Sequence, residues 1–199
     1  MTSSSFDLGP MPDHRRVRTV DERVVRAPVG PIFDLARSVE SWPGHLAHYR
    51  SVEMRDRRSD GGGVVRMAAV RPFGPLGWPV WWVAEMQIVT GPGSSPAVRF
   101  RHIAGVTRGM EVEWSFASMA GAAPRTVVRI VHAWDGPAWP LIGGVAASVV
   151  VAPVFVHGIA SRTLAGLAAV AERGWAARER RDASRPHAPA SDASIGAIG

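Results

Sequence analysis

The sequence predicts an α+β fold: a first strand, two short helices, a six-stranded antiparallel meander with one dry face, and a long C-terminal helix to cover that face. Three observations predict it. Six consecutive segments between Arg50 and Trp134 alternate polar and apolar residues with a period of two, and turn chemistry separates them. A seventh such segment precedes a proline-started helical pattern, and the only long apolar partner able to cover a dry sheet face comes last. With 199 residues, 46% of them hydrophobic and 20% charged, the chain suffices for one domain with a sizeable core.

The elements follow in order. "VRTVDERVVRA" (17–27) is a strand stopped by Pro28. "PVGPIFDLARSVESW" (28–42) begins a helix at its prolines and spaces Ile32, Phe33, Leu35, Ala36 and Val39 along one face. Pro43 and Gly44 interrupt it, and "HLAHY" (45–49) forms a second short turn of helix. The meander then runs through "SVEMRDR", "VVRMAAVR", "VWWVAEMQIV", "AVRFRHIA", "MEVEWSFAS" and "RTVVRIVHAW". The apolar stretch 141–156 leads into the amphipathic "IASRTLAGLAAVAERG" (159–174), with Pro153 kinking or splitting the element and Gly174 capping it. Residues 1–16 are expected as a disordered tail, 17–174 as the domain, and 175–199 as a helix extension and disordered tail.

All 23 basic side chains are arginine, and the formal charge is +6. They are dispersed, with short clusters at 14–18, 55–58 and 178–181, which argues against a nucleic-acid reader. Dispersed positive charge suits peripheral contact with anionic lipid or an acidic acyl-carrier partner better. The chain has no cysteine, hence no disulfide or thiolate metal site. Its first 15 residues lack the order of a signal peptide, and a cytoplasmic location is expected. Between Asp135 and Arg162 no charged residue occurs, long enough to span a bilayer. Its glycines, prolines and His157, and its amphipathic continuation, favour a helix buried within the domain.

"VDERVVRAPVGPIFDLARSVESWPGHLAHYRSVEM" (20–54) and "IASRTLAGLAAVAERG" (159–174) resemble the START-like, or SRPBCC, superfamily, in its polyketide cyclase/dehydrase and coenzyme-Q-binding branch. The resemblance spans nearly all of 17–174 and implies a helix-grip fold. A curved seven-stranded sheet would wrap the long C-terminal helix and leave a cavity between them for a hydrophobic small molecule such as a polyketide, quinone or lipid. It implies no cofactor, and none of its residues is a catalytic signature.

Alternation divides each strand into two faces. Charged Arg125 and Arg129 turn Val128, Ile130, His132 and Trp134 inward; Glu111 and Glu113 turn Met110, Val112, Trp114 and Phe116 inward. Arg99 and Arg101 do the same for Val98, Phe100 and His102, and the adjacent strand gives Val65, Met67 and Ala69. In "WPVWWVAEMQIV", Glu85 and Gln87 place Trp81 outside with Val83, and Trp82 inside with Met86. Trp82, Met86, Phe100, Met110, Trp114, Phe116 and Trp134 are therefore candidate ligand contacts. Each alone serves equally as core packing; the implied fold makes the collective reading the stronger one.

His102 and His132 are the candidate acid/base residues, and His157 on the last helix is placed to meet them as a further ligand contact. Arg108, on a turn at the end of the sheet, is a candidate for an anionic ligand group, and Tyr49 is either cavity rim or packing. "GGG" (61–63) lacks the helix that a phosphate loop requires, and the single inward carboxylate candidate is Glu22. Two functions from different classes fit. One is an enzyme of the cyclase/aromatase or dehydratase type; the other is a non-catalytic carrier of a lipid, quinone or pigment. Trp81, on the outer face, is assigned to a homodimer contact, a membrane contact or cover by a tail. Trp78, ahead of Pro79, is placed on a lid or rim.

Overall fold

The computed structural model describes residues 6–73, 76–91, 93–136 and 152–184. β1 (Val17–Val25) is followed by α1 (Val29–Arg37), a 3-10 turn (Val39–Ser41) and α2 (Trp42–His45). The meander comprises β2 (Tyr49–Arg57), β3 (Gly63–Phe73), β4 (Leu76–Val89), β5 (Ala97–Gly105), β6 (Glu111–Met119) and β7 (Arg125–Trp134). α3 runs over Ala152–Ala183. The strand order is β1-β7-β6-β5-β4-β3-β2, with every neighbouring pair antiparallel, so β1 and β2 are the edges. This is the α+β helix-grip architecture.

Local chemistry accounts for the short helices. Pro28 stands at the N-cap of α1 in extended conformation, and Ile32, Phe33 and Ala36 form its buried stripe. Phe33 meets Phe116 of β6 edge-on at 5.4 Å, which fixes α1 against the inner face. The second short helix differs from expectation. It is Trp42–His45, because Pro43 falls in its first turn, where a missing N–H costs nothing. The Trp42 indole donates to the Leu35 carbonyl at 2.9 Å and ties α2 back to α1.

α3 buries Ala160, Leu164, Leu167, Ala168 and Ala171, a spacing of three and four that makes one face. Gly166 allows Leu46 to approach, since a Cβ there would lie 2.3 Å from Leu46 Cδ2. Gly174 does not cap the helix. The following "WAARERR" is rich in strong helix formers, and they carry it to Ala183 against a local glycine cost of about 1 kcal/mol. The buried helix expected over 141–156 lies largely outside the described residues, and so does the segment ahead of Pro153 that bears on the expected kink or split. No helix among the described residues is long and apolar enough to cross a membrane.

The N-terminal stretch expected as a tail carries contacts from Phe6 onward. Leu8 is buried, and its N–H donates to Gln87 Oε1 at 3.1 Å. The Arg58 guanidinium lies 3.6 Å over the Phe6 ring. Arg15 and the Arg16 N–H both bond Asp135, at 2.5 and 3.1 Å. These residues form a strap over the outer face of β4 and β5. Beneath it Arg99 and Glu111 face outward, as alternation requires, yet are 6% and 7% exposed.

Candidate functional site

Between the inner face and α3 lies a cavity with about 80 Å³ of room for the centres of water-sized molecules, several times what one water needs. Its wall is a chain of aromatic rings. Trp114 meets Trp42 at 5.7 Å, Trp42 meets Tyr49 at 5.2 Å, Tyr49 meets Trp82 at 6.1 Å, and Trp82 stacks on His102 at 5.9 Å and 11°. Met67, Phe100, Met110, Val112 and Ile130 complete the sheet side, and Ile159, Ala160 and Thr163 the helix side. Among the described residues, no charged side chain lines it apart from what the two imidazoles could carry.

The polar groups occupy defined places. His102 Nδ1 is 2.6 Å from the Thr107 hydroxyl, which leaves Nε2 for a bound molecule. His132 Nδ1 is 3.4 Å from the hydroxyl of Thr19, its register partner on β1. Burial, reinforced by the other imidazoles (His132 beside His102, His157 beside His132), pushes both pKa values down to about 3. Both rings are therefore neutral at pH 7 and offer one donor and one acceptor each. Tyr49 is held neutral too, its phenol pushed far up by burial. The Thr163 hydroxyl donates to Ile159 O at 2.9 Å, so it accepts from His48 Nε2 at 3.0 Å.

Of the candidate residues, Trp82, Phe100, His102, Met110, Trp114 and His132 come together on the cavity wall. Met86, Phe116 and Trp134 are buried in the core behind it. The turn of residues 105–109 contributes Thr107 to the wall, whereas Arg108 is exposed and gives its carbonyl to the Trp134 indole at 3.0 Å. His157 does not join His102 and His132 in the cavity. Its Nδ1 lies 2.5 Å from Asp21 Oδ1, on the β1 side of α3, with 65% of the side chain exposed. The inward carboxylate is Asp21 and not Glu22, since β1 buries Val17, Asp21 and Val25. Desolvation raises the Asp21 pKa against the opposing pull of His157.

Sequence reasoning passed over Trp42, Thr107 and Thr163. Trp42 had a visible signal, a tryptophan beside the proline that starts a helix. A turn threonine and a helix threonine have none until register places them.

Residues 25–152 match the family model described as polyketide cyclase / dehydrase and lipid transport. The chain belongs to this family. No curated protein matches it in sequence. Among solved structures, a protein from Thermus thermophilus is similar at 22% identity and TM-score 0.60, covering 79% of this chain and 99% of that one. The Zhui aromatase/cyclase from Streptomyces sp. R1128 is similar at 17% identity and TM-score 0.60, covering 79% and 94%. A START superfamily protein from Mycobacterium smegmatis is similar at 15% identity and TM-score 0.55, covering 81% and 98%. These likenesses establish a shared fold, and the family's START-like architecture is the one described above.

Proposed function

We propose that the chain binds a neutral, largely apolar small molecule bearing carbonyl or hydroxyl groups, and that it acts on that molecule as a cyclase or dehydratase. The observation that carries this reading is the cavity wall itself: aromatic rings interrupted by two uncharged imidazoles, with no carboxylate or guanidinium among the described residues. A charged ligand would be desolvated there without a counter-ion, which costs several kcal/mol. A neutral carbonyl instead accepts a hydrogen bond from a ring N–H. The family and the aromatase/cyclase among the similar folds support the class of chemistry.

For catalysis the wall would hold a flexible poly-β-carbonyl chain folded, so that a carbon nucleophile lies against its carbonyl, and orientation supplies much of the rate. His102 is the first candidate for moving the proton, with Thr107 fixing its ring and Trp82 stacked on its face. An enolate forming beside His102 would raise the depressed imidazole pKa and make it a better proton acceptor as the reaction proceeds.

One observation favours a second reading. An imidazole pushed down to about 3 is a weak base in the empty protein, and a carrier needs hydrogen bonds but no base. One experiment separates the two: the protein is incubated with a poly-β-carbonyl substrate, and bound and released species are identified by mass spectrometry. A changed product pattern, lost in His102→Ala with the fold retained, supports catalysis. Release of unchanged ligand makes the protein a carrier, and failure to retain any neutral apolar molecule overturns both readings.

A further inference from the structure

The β3–β4 hairpin outruns the sheet on both sides. β2 begins at Tyr49, opposite Ala69, and β5 ends at Gly105, opposite Trp82. Beyond these positions the two strands continue to pair with each other, from Val70↔Pro79 to Phe73↔Leu76. The hairpin carries the two most exposed tryptophans among the described residues, Trp78 at 68% on this two-stranded ribbon and Trp81 at 47% at its root, opposite Ala68, where β2 still pairs with β3. They point to opposite faces, since Trp78 shares the phase of Val80 and Trp82 while Trp81 shares that of Val83. From Gly61 to Ala84 the sequence has no acidic residue and two basic ones, Arg66 and Arg71. The Arg66 guanidinium lies 6.0 Å from the Trp81 ring.

We propose that this hairpin is a membrane-docking finger that seats in the headgroup layer of an anionic bilayer. The opposed tryptophans select the partner. A protein surface packed on one face of the hairpin would leave the other indole in water, whereas a headgroup layer that surrounds the ribbon down to its root receives both. Tryptophan favours that interfacial depth. The net positive charge of this stretch attracts anionic headgroups, and no carboxylate within it opposes them. The unpaired ribbon edges limit the depth. Backbone N–H and C=O groups beyond the reach of β2 and β5 need water or headgroup partners, which keeps the finger out of the hydrocarbon. The root of the same hairpin supplies Met67 and Trp82 to the cavity wall, so an apolar molecule drawn from the bilayer has a short path inward. The docking surface stands whether or not chemistry follows in the cavity.

Flotation of the full chain with phosphatidylcholine vesicles containing about one-third phosphatidylglycerol tests the proposal. The protein is expected to float with these vesicles and to release at high salt, and shallow brominated lipids are expected to quench part of its tryptophan emission. The double variant Trp78→Ser/Trp81→Ser should keep its circular dichroism and melting temperature, because both side chains are exposed. It should lose binding about tenfold, together with the quenching. Wild-type protein that stays off the anionic vesicles overturns the proposal, as does a double variant that binds and is quenched like wild type. A wild-type dimer that becomes monomeric in the double variant would assign the finger to self-association instead and also overturn it.

Discussion

Strand β5 shows two kinds of interior on its two faces. Inward, Phe100 and His102 meet aromatic rings, and the polar groups there are neutral. Outward, Arg99 lies 3.4 Å from both Glu111 and Glu113, and Arg101 lies 3.5 Å from Glu111. Arg99 Nη1 also donates to the Gly9 carbonyl, and Arg101 Nη2 to the Leu8 carbonyl at 2.6 Å. Both faces are buried at this point, yet one is solvated by imidazole and hydroxyl groups and the other by full charges and strap carbonyls. Burial alone does not decide polarity; what covers the face does. α3 offers mostly aliphatic side chains and leaves space, while the strap offers backbone acceptors and fills it.

The largest expected effect falls on the outer face. Glu111→Ala leaves Arg99 buried and under-paired, and urea unfolding should show a loss of about 3–5 kcal/mol. The apolar pair Arg99→Met/Glu111→Leu should recover most of that loss. A single-variant cost under about 1 kcal/mol would mean that this face is wet and the comparison wrong.

Acid tests the inner face next. His102 and His132 have folded pKa values near 3 against 6.5 unfolded, so below pH 6.5 the unfolded chain binds more protons than the folded one. Stability is therefore complete above 6.5 and falls as pH drops toward 3, by up to about 1.4 kcal/mol per pH unit for each ring. Asp21, with its raised pKa, works weakly in the opposite sense. His102→Gln should remove up to half of the slope measured by denaturant titration between pH 6 and 4, since His132 and His48, also lowered by burial, keep the rest. An unchanged slope would place His102 in contact with water.

Removing residues 1–10 should cost roughly 2 kcal/mol, from the burial of Leu8 and the carbonyls that Arg99 and Arg101 lose. Ligand retention in the cavity should survive the truncation, because the contacts of the described strap residues lie on the other face. The smallest effect is the control. Arg37→Ala breaks an exposed pair with Asp34 at 2.9 Å and should change stability by less than about 0.5 kcal/mol.

Much of this arrangement was legible residue by residue. The period-two phasing sorted Trp82, Phe100, Met110, Trp114 and His132 onto the inner face, since Arg, Glu and Gln at alternate positions have only one other place to go. The same logic failed on β1. There Asp21 and not Glu22 turns inward, because a buried acid with a histidine partner across the gap breaks the rule that charge marks the outside. It failed again on the strap, where Leu8 is one apolar residue in a Ser/Pro-rich stretch and carries no periodicity. Thr107 was hidden beside the more conspicuous Arg108. A hydroxyl's worth depends on which ring nitrogen it meets.

By itself the sequence determined the seven strands, their order along the chain, the inward set of aromatics and the split between Trp81 and Trp82. Those follow from short-range rules, alternation and turn chemistry, that act within a strand. The tertiary structure alone decided that β1 closes the sheet beside β7, that His157 pairs with Asp21 outside the cavity, that the strap buries Arg99, and that the β3–β4 hairpin outruns its neighbours. Each depends on which distant segments meet. Distances set across strands and between layers are fixed by packing, which no local pattern encodes.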